Sequence, residues 1–409
     1  MKNRTPIKIK LPASKSISNR VLIIKALLNE DFTNINNLSD AKDTRILQRI
    51  LTQKDKNTFD VGHAGTAMRF LTAYFAMQNG NETILKGSER MHQRPIKTLV
   101  NALKNLGVEI EYLAKNGFPP IKIKGTSIKK NTVNLDANIS SQYISALLLV
   151  APLLKNGLKI NLIGKLVSKP YVQMTIAIMQ QFGVKVSPTN RGFEVEAQKY
   201  LNTNTKIESD WSSASYWYEY VALSKSAVIE LQGLQKNSIQ GDAVLPKLFS
   251  PLGVETTWTK DGIIIYKKEQ ANFSTNLTFD LENTPDLAQT LVCTCAGLNL
   301  NATFTGLSTL VIKETNRLIA LKNELQKFGI PITIEGNNTI ILKEKKQLSR
   351  PKESIKTYED HRMAMAFAPL SLVVGKLYFD NPNVVEKSYP AFWEEMKKVT
   401  NRDKDNSKT

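Results

Sequence analysis

Four stretches of the chain repeat one hydrophobic signature. LVNALKNLGVEIEYL, IAIMQQFGVKVSPT, VLPKLFSPLGVETTW and LKNELQKFGIPITIEG each carry apolar residues at helical spacing, then a glycine, then alternating apolar and polar residues. A Leu or Phe before the glycine closes the apolar stripe of the helix, and a Val or Ile after it opens the strand. Gly107, Gly183, Gly253 and Gly329 lie 76, 70 and 76 residues apart. Each is predicted at the left-handed position that ends a helix. Recurrence at so even a spacing predicts a duplicated α/β unit, with room in every period for another helix and further strands.

A second pattern concerns how apolar helices begin. Between the second and third repeats, Asn202–Trp217 is polar and then turns into a helical run, with Ser209 or Asp210 placed to cap it. A domain boundary is expected there. The helix opening near Ser14–Ser16 starts another half, so Met1–Ala13 is expected as a strand of the other domain. The expected layout is residues 14–209 as one domain, 1–13 with 210–399 as a discontinuous second, and 400–409 as a flexible tail.

With 409 residues, 42% hydrophobic and 22% charged, the chain reads as a globular protein of two or three domains. Its formal charge of +18 raises nucleic acid or a membrane surface as partners. The lysines, however, are scattered and not interleaved with aromatics, as a stacking platform requires. Two cysteines, Cys293 and Cys295, sit in one apolar run, and the three histidines are far apart in sequence. Neither a disulfide nor a metal site is expected, and no 18-residue apolar run offers a membrane span. A soluble cytoplasmic protein that binds no nucleic acid or membrane is the expectation.

Seven segments pair a cation with hydroxyl or glycine neighbours: Pro12–Arg20, Gly62–Arg69, His92–Ile96, Asn138–Tyr143, Val167–Tyr171, Ile312–Arg317 and Glu359–Met365. Hydroxyls and free N–H groups at a helix start, with Lys or Arg beyond, hold small polyanions. Taken singly, each segment reads equally as a capped surface helix or a tight turn. Asp286, in Asn283–Asp286 before the apolar run Leu287–Leu298, is either an ordinary first-turn Asp or a carboxylate able to accept a hydroxyl proton. Lys313, Glu314 and Arg317 follow a pattern common on exposed helices. Together the seven suggest one anion site assembled from both domains.

The same segments carry a family resemblance. PASKSISNR, AGTAMR, SSQY, SKPY, QGD, PDLAQT, IKETNR, DHRMAM and EKSYPAFW occur in collinear order from about Ile7 to Val399. In these the chain resembles the enolpyruvylshikimate-phosphate synthases, of the enolpyruvyl transferase family. The resemblance implies an α/β protein of two globular domains, each of three βαβαββ units, joined by two hinge strands. It implies transfer of the carboxyvinyl group of phosphoenolpyruvate to the 5-hydroxyl of 3-phosphoshikimate, in the shikimate pathway to chorismate and aromatic amino acids. No metal or organic cofactor is implied, and a monomer is expected.

Carried over residue by residue, Lys15, Ser16, Arg20, Ser140, Ser141, Gln142, Ser168, Asp286 and Lys313 are implied to hold 3-phosphoshikimate. Lys15, Gly65, Arg94, Gln142, Arg317, Arg362 and Lys387 are implied to hold phosphoenolpyruvate. Asp286 is the expected hydroxyl base, with Glu314 and Lys313 or Lys15 for the other proton transfers. The chain departs from the family pattern at His63, Phe70, Thr309 and Asn316, sparing the principal charged residues; Gly65 and Phe70 flank the family's glyphosate pocket. Two rival readings fit the sequence less well. A sister transferase acting on a UDP-aminosugar uses a loop cysteine as acid, whereas both cysteines here lie in an apolar run. An RNA-end-processing enzyme with the same repeat needs a nucleotide site and a histidine nucleophile, whereas His361 sits in DHRMAM.

Overall fold

All four repeat glycines adopt left-handed backbone, with φ of 101°, 80°, 80° and 80° at Gly107, Gly183, Gly253 and Gly329. A side chain would be strained at each, which is why the helix ends there and the chain turns back. This is the geometry of a computed structural model that describes residues 5–53, 55–138, 140–269, 273, 276–343 and 348–406.

Each glycine belongs to a four-stranded sheet, and all four sheets are wired alike. Thr58–Asp60, Glu82–Lys86, Ile121–Lys124 and Glu109–Tyr112 form one, and Thr132–Asp136, Leu158–Ile163, Gly192–Val195 and Ser187–Thr189 the next. Ile7–Lys10, Val228–Gln232, Gly262–Lys267 and Val254–Trp258 form the third, and Leu277–Asp280, Ala302–Thr305, Thr339–Leu342 and Thr333–Glu335 the fourth. In every case the first two strands are parallel and the rest antiparallel. In three of the sheets a helix bridges the parallel step, and in the one pairing Ile7–Lys10 with Val228–Gln232 the whole stretch from Leu11 to Ala227 does. Strand alternation buries one face, as in Phe59 between exposed Thr58 and Asp60.

The chain divides into two compact units, Ser14–Ile207 and Met1–Ala13 with Glu208–Thr409. Two of the sheets lie in each. Beyond them, strand pairing among the described residues is slight: Ile35–Asn36 beside Thr205–Lys206 in the first unit, and bridges between Ala13 and Ser209 and between Ile355 and Phe379 in the second. Helices fill out these third portions, Lys15–Leu27 and Lys42–Thr52 in one, His361–Phe367 and Phe392–Asn406 in the other.

Several helices are buried nearly all round, among them Ser141–Val150, Trp211–Leu223, Ala288–Gly297 and His361–Phe367. A helix without a polar face is a core element. Its polar residues gather at the opening end, so the motifs singled out in the sequence mark the ends of core helices. Residues 400–406, expected as tail, are instead the last turns of Phe392–Asn406. Met396 and Val399 are buried, and the Tyr220 hydroxyl donates to Asp403 at 3.5 Å, tying that helix down. Residues 407–409 lie outside the described residues.

Candidate active site

In the Ser14–Ile207 unit, four helix starts carry expected residues: Lys15, Gly65 and Ser141 open Lys15–Leu27, Gly65–Ala76 and Ser141–Val150, and Ser168 stands at the N-cap of Lys169–Gln181. Gln142 Nε2 donates to Thr66 Oγ1 at 3.2 Å, which sets two of these starts side by side. Ser140 caps its helix by accepting from the Gln142 N–H. Ser168 precedes the next helix in left-handed backbone, φ 54°, an unfavourable conformation for a serine that the surrounding loop imposes. Free N–H groups at such ends, with hydroxyls beside them, suit phosphate.

Four cations serve these starts in different ways. Lys15 is half-buried, with Nζ 3.2 Å from Asp43 Oδ2. Arg94 lies against Gly65: a Cβ on that glycine would stand 2.7 Å from both terminal guanidinium nitrogens, so only glycine lets the arginine come this close. Arg69 backs the pair, donating to the Gly65 carbonyl at 3.2 Å and the Pro95 carbonyl at 2.9 Å. Arg20 is buried more deeply than its expected ligand role suggests. It donates to Thr175 Oγ1 at 2.7 Å, the Ser16 carbonyl at 2.7 Å, the Tyr171 carbonyl at 3.1 Å and Ser145 Oγ at 3.4 Å. Burial lowers its pKa to about 10, which still leaves it charged at neutral pH. Arg20 therefore also ties three of the four helices together.

The other unit holds a network of alternating charge. Arg317, which opens the Arg317–Lys327 helix and is 1% exposed, donates from Nε to Asp360 Oδ2 at 2.7 Å, from Nη1 to Asp286 Oδ1 at 3.1 Å and from Nη2 to Glu314 Oε2 at 3.2 Å. Arg362 Nη2 donates to Asp286 Oδ2 at 2.9 Å, and Lys387 Nζ lies 3.0 Å from Glu314 Oε1. Asp286 is thus held between two guanidiniums and Glu314 between a guanidinium and an ammonium. Lys313 lies half-buried next to Glu314, just past the Ser308–Ile312 turn. Arg362 Nη1 reaches the Tyr216 hydroxyl at 3.3 Å, and Asp242 accepts from Ser212 Oγ. Burial first, then the nearby Asp286 charge, pushes Asp242 up to about 7.

A sequence profile described as EPSP synthase (3-phosphoshikimate 1-carboxyvinyltransferase) matches residues 2–55 and 46–396. A protein of Bacteroides fragilis named 3-phosphoshikimate 1-carboxyvinyltransferase is 47% identical over 96% of this chain and 94% of its own length. The chain belongs to the EPSP synthase family. A relative of the same name from Haemophilus influenzae is 36% identical over 96% of each chain. The solved EPSP synthase of Acinetobacter baumannii superposes with a TM-score of 0.71 over 97% of this chain and 95% of that one, at 19% identity, and so shares the fold.

Apart from Arg20, in the second turn of its helix, each expected site residue lies at or beside a helix start or turn of its own unit. Within units, the structure brings together Gly65 with Arg94, Gln142 with the Gly65 helix, and Asp286, Glu314, Arg317, Arg362 and Lys387 in one network. Sequence reading passed over two members. Asp360 looked like a cap, and it is one, accepting from the Arg362 N–H; it is also the strongest partner of Arg317. Tyr216 lies within the aromatic-rich helix Trp211–Leu223 and carried no signal of its own. The thiols of Cys293 and Cys295 are wholly buried and their pKa values pushed up, so neither is an available acid.

Proposed function

We propose that this chain transfers the carboxyvinyl group of phosphoenolpyruvate to the 5-hydroxyl of 3-phosphoshikimate, releasing phosphate, the reaction for which its relatives are named. The observation that carries the reading is Asp286 clasped by Arg317 and Arg362. Without substrate the network neutralises itself. An incoming carboxylate and phosphate compete with Asp286 and Glu314 for the same guanidiniums, and bidentate arginines suit both anions. As Arg317, Arg362 and Lys387 turn to phosphoenolpyruvate, Asp286 loses positive neighbours and becomes a better proton acceptor.

The 5-hydroxyl oxygen then attacks C2 of phosphoenolpyruvate while its proton passes to Asp286 and another proton reaches the C3 methylene, giving a tetrahedral adduct. Glu314, with Lys313 or Lys15, serves these other transfers. Loss of phosphate and of a C3 proton restores the vinyl group. Lys15, Arg94 and the arginine network offset the charge on the departing phosphate. Ser16, Arg20, Ser140, Ser141, Gln142 and Ser168 hold 3-phosphoshikimate, joined by Lys313, and Gly65 leaves room for phosphoenolpyruvate beside Arg94.

The partners proposed are small anions alone, for a monomer in the cytoplasm needing no metal. Among the described residues no helix is long and apolar enough to cross a membrane. The test is phosphate release in chelator-treated buffer. Release should require both phosphoenolpyruvate and 3-phosphoshikimate. Release with either alone would refute the transfer, and recovery only on adding a divalent ion would refute the metal-free reaction.

A further inference from the structure

We infer that Glu324 and Tyr358 are positioning residues for the Arg317–Arg362 pair, acting through a strained turn that the Arg317–Lys327 helix grips at two points. The inference rests on the transferase reading for its kinetic consequence, but not for its geometry.

Arg317 and Glu324 are seven residues apart, two helical turns, and so project from one face. Both are buried, Glu324 completely. Arg317 holds Asp360. Glu324 holds the chain just before it: Oε1 accepts from the Tyr358 hydroxyl at 2.8 Å, and Oε2 from the Lys356 N–H at 2.9 Å and Lys327 Nζ at 2.6 Å. Across the turn, Asp380 Oδ1 accepts from both the N–H and the hydroxyl of Thr357 at 2.9 Å.

Between these anchors Tyr358 and Glu359 are both left-handed, with φ of 55° and 54°. Two consecutive non-glycine residues adopt that backbone only where neighbours over-determine it. The turn delivers Asp360, whose N–H donates to the Thr357 carbonyl at 2.9 Å. Asp360 in turn aligns Arg317 through Nε and the start of the next helix through the Arg362 N–H. Released at Glu324, the turn can relax toward ordinary backbone and carry Asp360 with it, and both guanidiniums lose their common reference. Burial, followed by the bond to Glu324, raises the Tyr358 phenol to about 12, so it stays a donor throughout the working pH range.

The test compares Glu324→Ala, Glu324→Gln, Glu324→Asp and Tyr358→Phe with the unaltered chain, at a temperature where circular dichroism shows each folded. Glu324→Ala should lower kcat/KM for phosphoenolpyruvate by about tenfold or more, the scale of a small misplacement of a binding group. KM for 3-phosphoshikimate should stay within about twofold, its phosphate being assigned to serines elsewhere. Glu324→Asp should recover part of the loss, and Glu324→Gln and Tyr358→Phe should fall in between. A second readout needs no turnover: the Arg317 Nε–H resonance, assigned by its disappearance in Arg317→Lys, should exchange with solvent at least about tenfold faster in Glu324→Ala. A lower melting temperature with unchanged kinetics and exchange would make Glu324 purely structural and overturn the proposal, as would either readout standing still. Should Glu324→Ala not fold, Glu324→Gln and Tyr358→Phe decide by the same two criteria. If the unaltered chain shows no transfer, the transferase reading fails and the exchange measurement alone decides the positioning role.

Discussion

Replacing Asp286 by Asn separates a catalytic carboxylate from a structural one. Asp286 gives one oxygen to Arg317 at 3.1 Å and the other to Arg362 at 2.9 Å. The amide keeps the shape but offers one oxygen, so one guanidinium comes to face an NH2 group. That exchanges a charge-assisted bond, of about 1.5–3 kcal/mol, for a donor–donor contact. On top of this comes the loss of the base, for which general-base removal sets a scale of about 100- to 10,000-fold. Turnover is therefore expected to fall at least about 100-fold. Affinity for 3-phosphoshikimate should move far less, because Ser140, Ser141 and Ser168 are assigned its phosphate. Coupled phosphate release measures the first and titration calorimetry the second. If Asp286 served only as a first-turn residue, Asn would replace it well. Near-wild-type turnover in Asp286→Asn would therefore remove it from the mechanism.

Arg94→Ala, and likewise Lys15→Met, should weaken phosphoenolpyruvate binding about 10- to 100-fold, the worth of one charge-assisted contact, with the fold intact. Unchanged phosphoenolpyruvate titrations in both variants would contradict the assignment. Asp242 supplies a pH test. Its folded pKa, about 7, lies above that of an ordinary Asp, so the native state binds the proton more tightly than the unfolded chain. The stability it confers is complete below about pH 4 and is lost as pH rises through about 7. Asp242→Asn should escape that loss, gaining on the unaltered protein between pH 5 and pH 8 by at most about 3 kcal/mol. Urea unfolding at the two pH values measures it, and an identical difference at both would show that Asp242 does not titrate there.

Periodic features were the most legible in the sequence. The repeat glycines end helices because a left-handed residue is needed there, a purely local requirement that a short window reveals. Helix openings at Lys15, Gly65, Ser141 and Asp360 were legible for the same reason. What a side chain bonds to across the chain was not. Arg20 seemed to face a ligand with Ser16, yet its partners Ser145 and Thr175 come from segments more than a hundred residues away and enclose it. Asp360 read as a cap because its second partner, Arg317, is 43 residues upstream. The left-handed pair Tyr358–Glu359 carries no glycine to announce it. The helix through residues 400–406 was hidden by its charge, since its apolar anchors, Phe392, Met396 and Val399, all precede that stretch.

Ile7–Lys10 takes its place in a sheet only when Val228–Gln232 exists to receive it. On the ribosome that means waiting for roughly 220 residues, about 10–45 s at common elongation rates of about 5–20 residues per second. The whole Ser14–Ile207 unit is contiguous and emerges in between, so it can finish folding while the first strand has no partner. An unpaired strand is an invitation to aggregate, and a lysine at every second position is a familiar protection. Ile7-Lys8-Ile9-Lys10 has that form, its isoleucines buried and its lysines exposed in the finished protein. The two lysines thus guard the nascent chain before the strand finds its sheet.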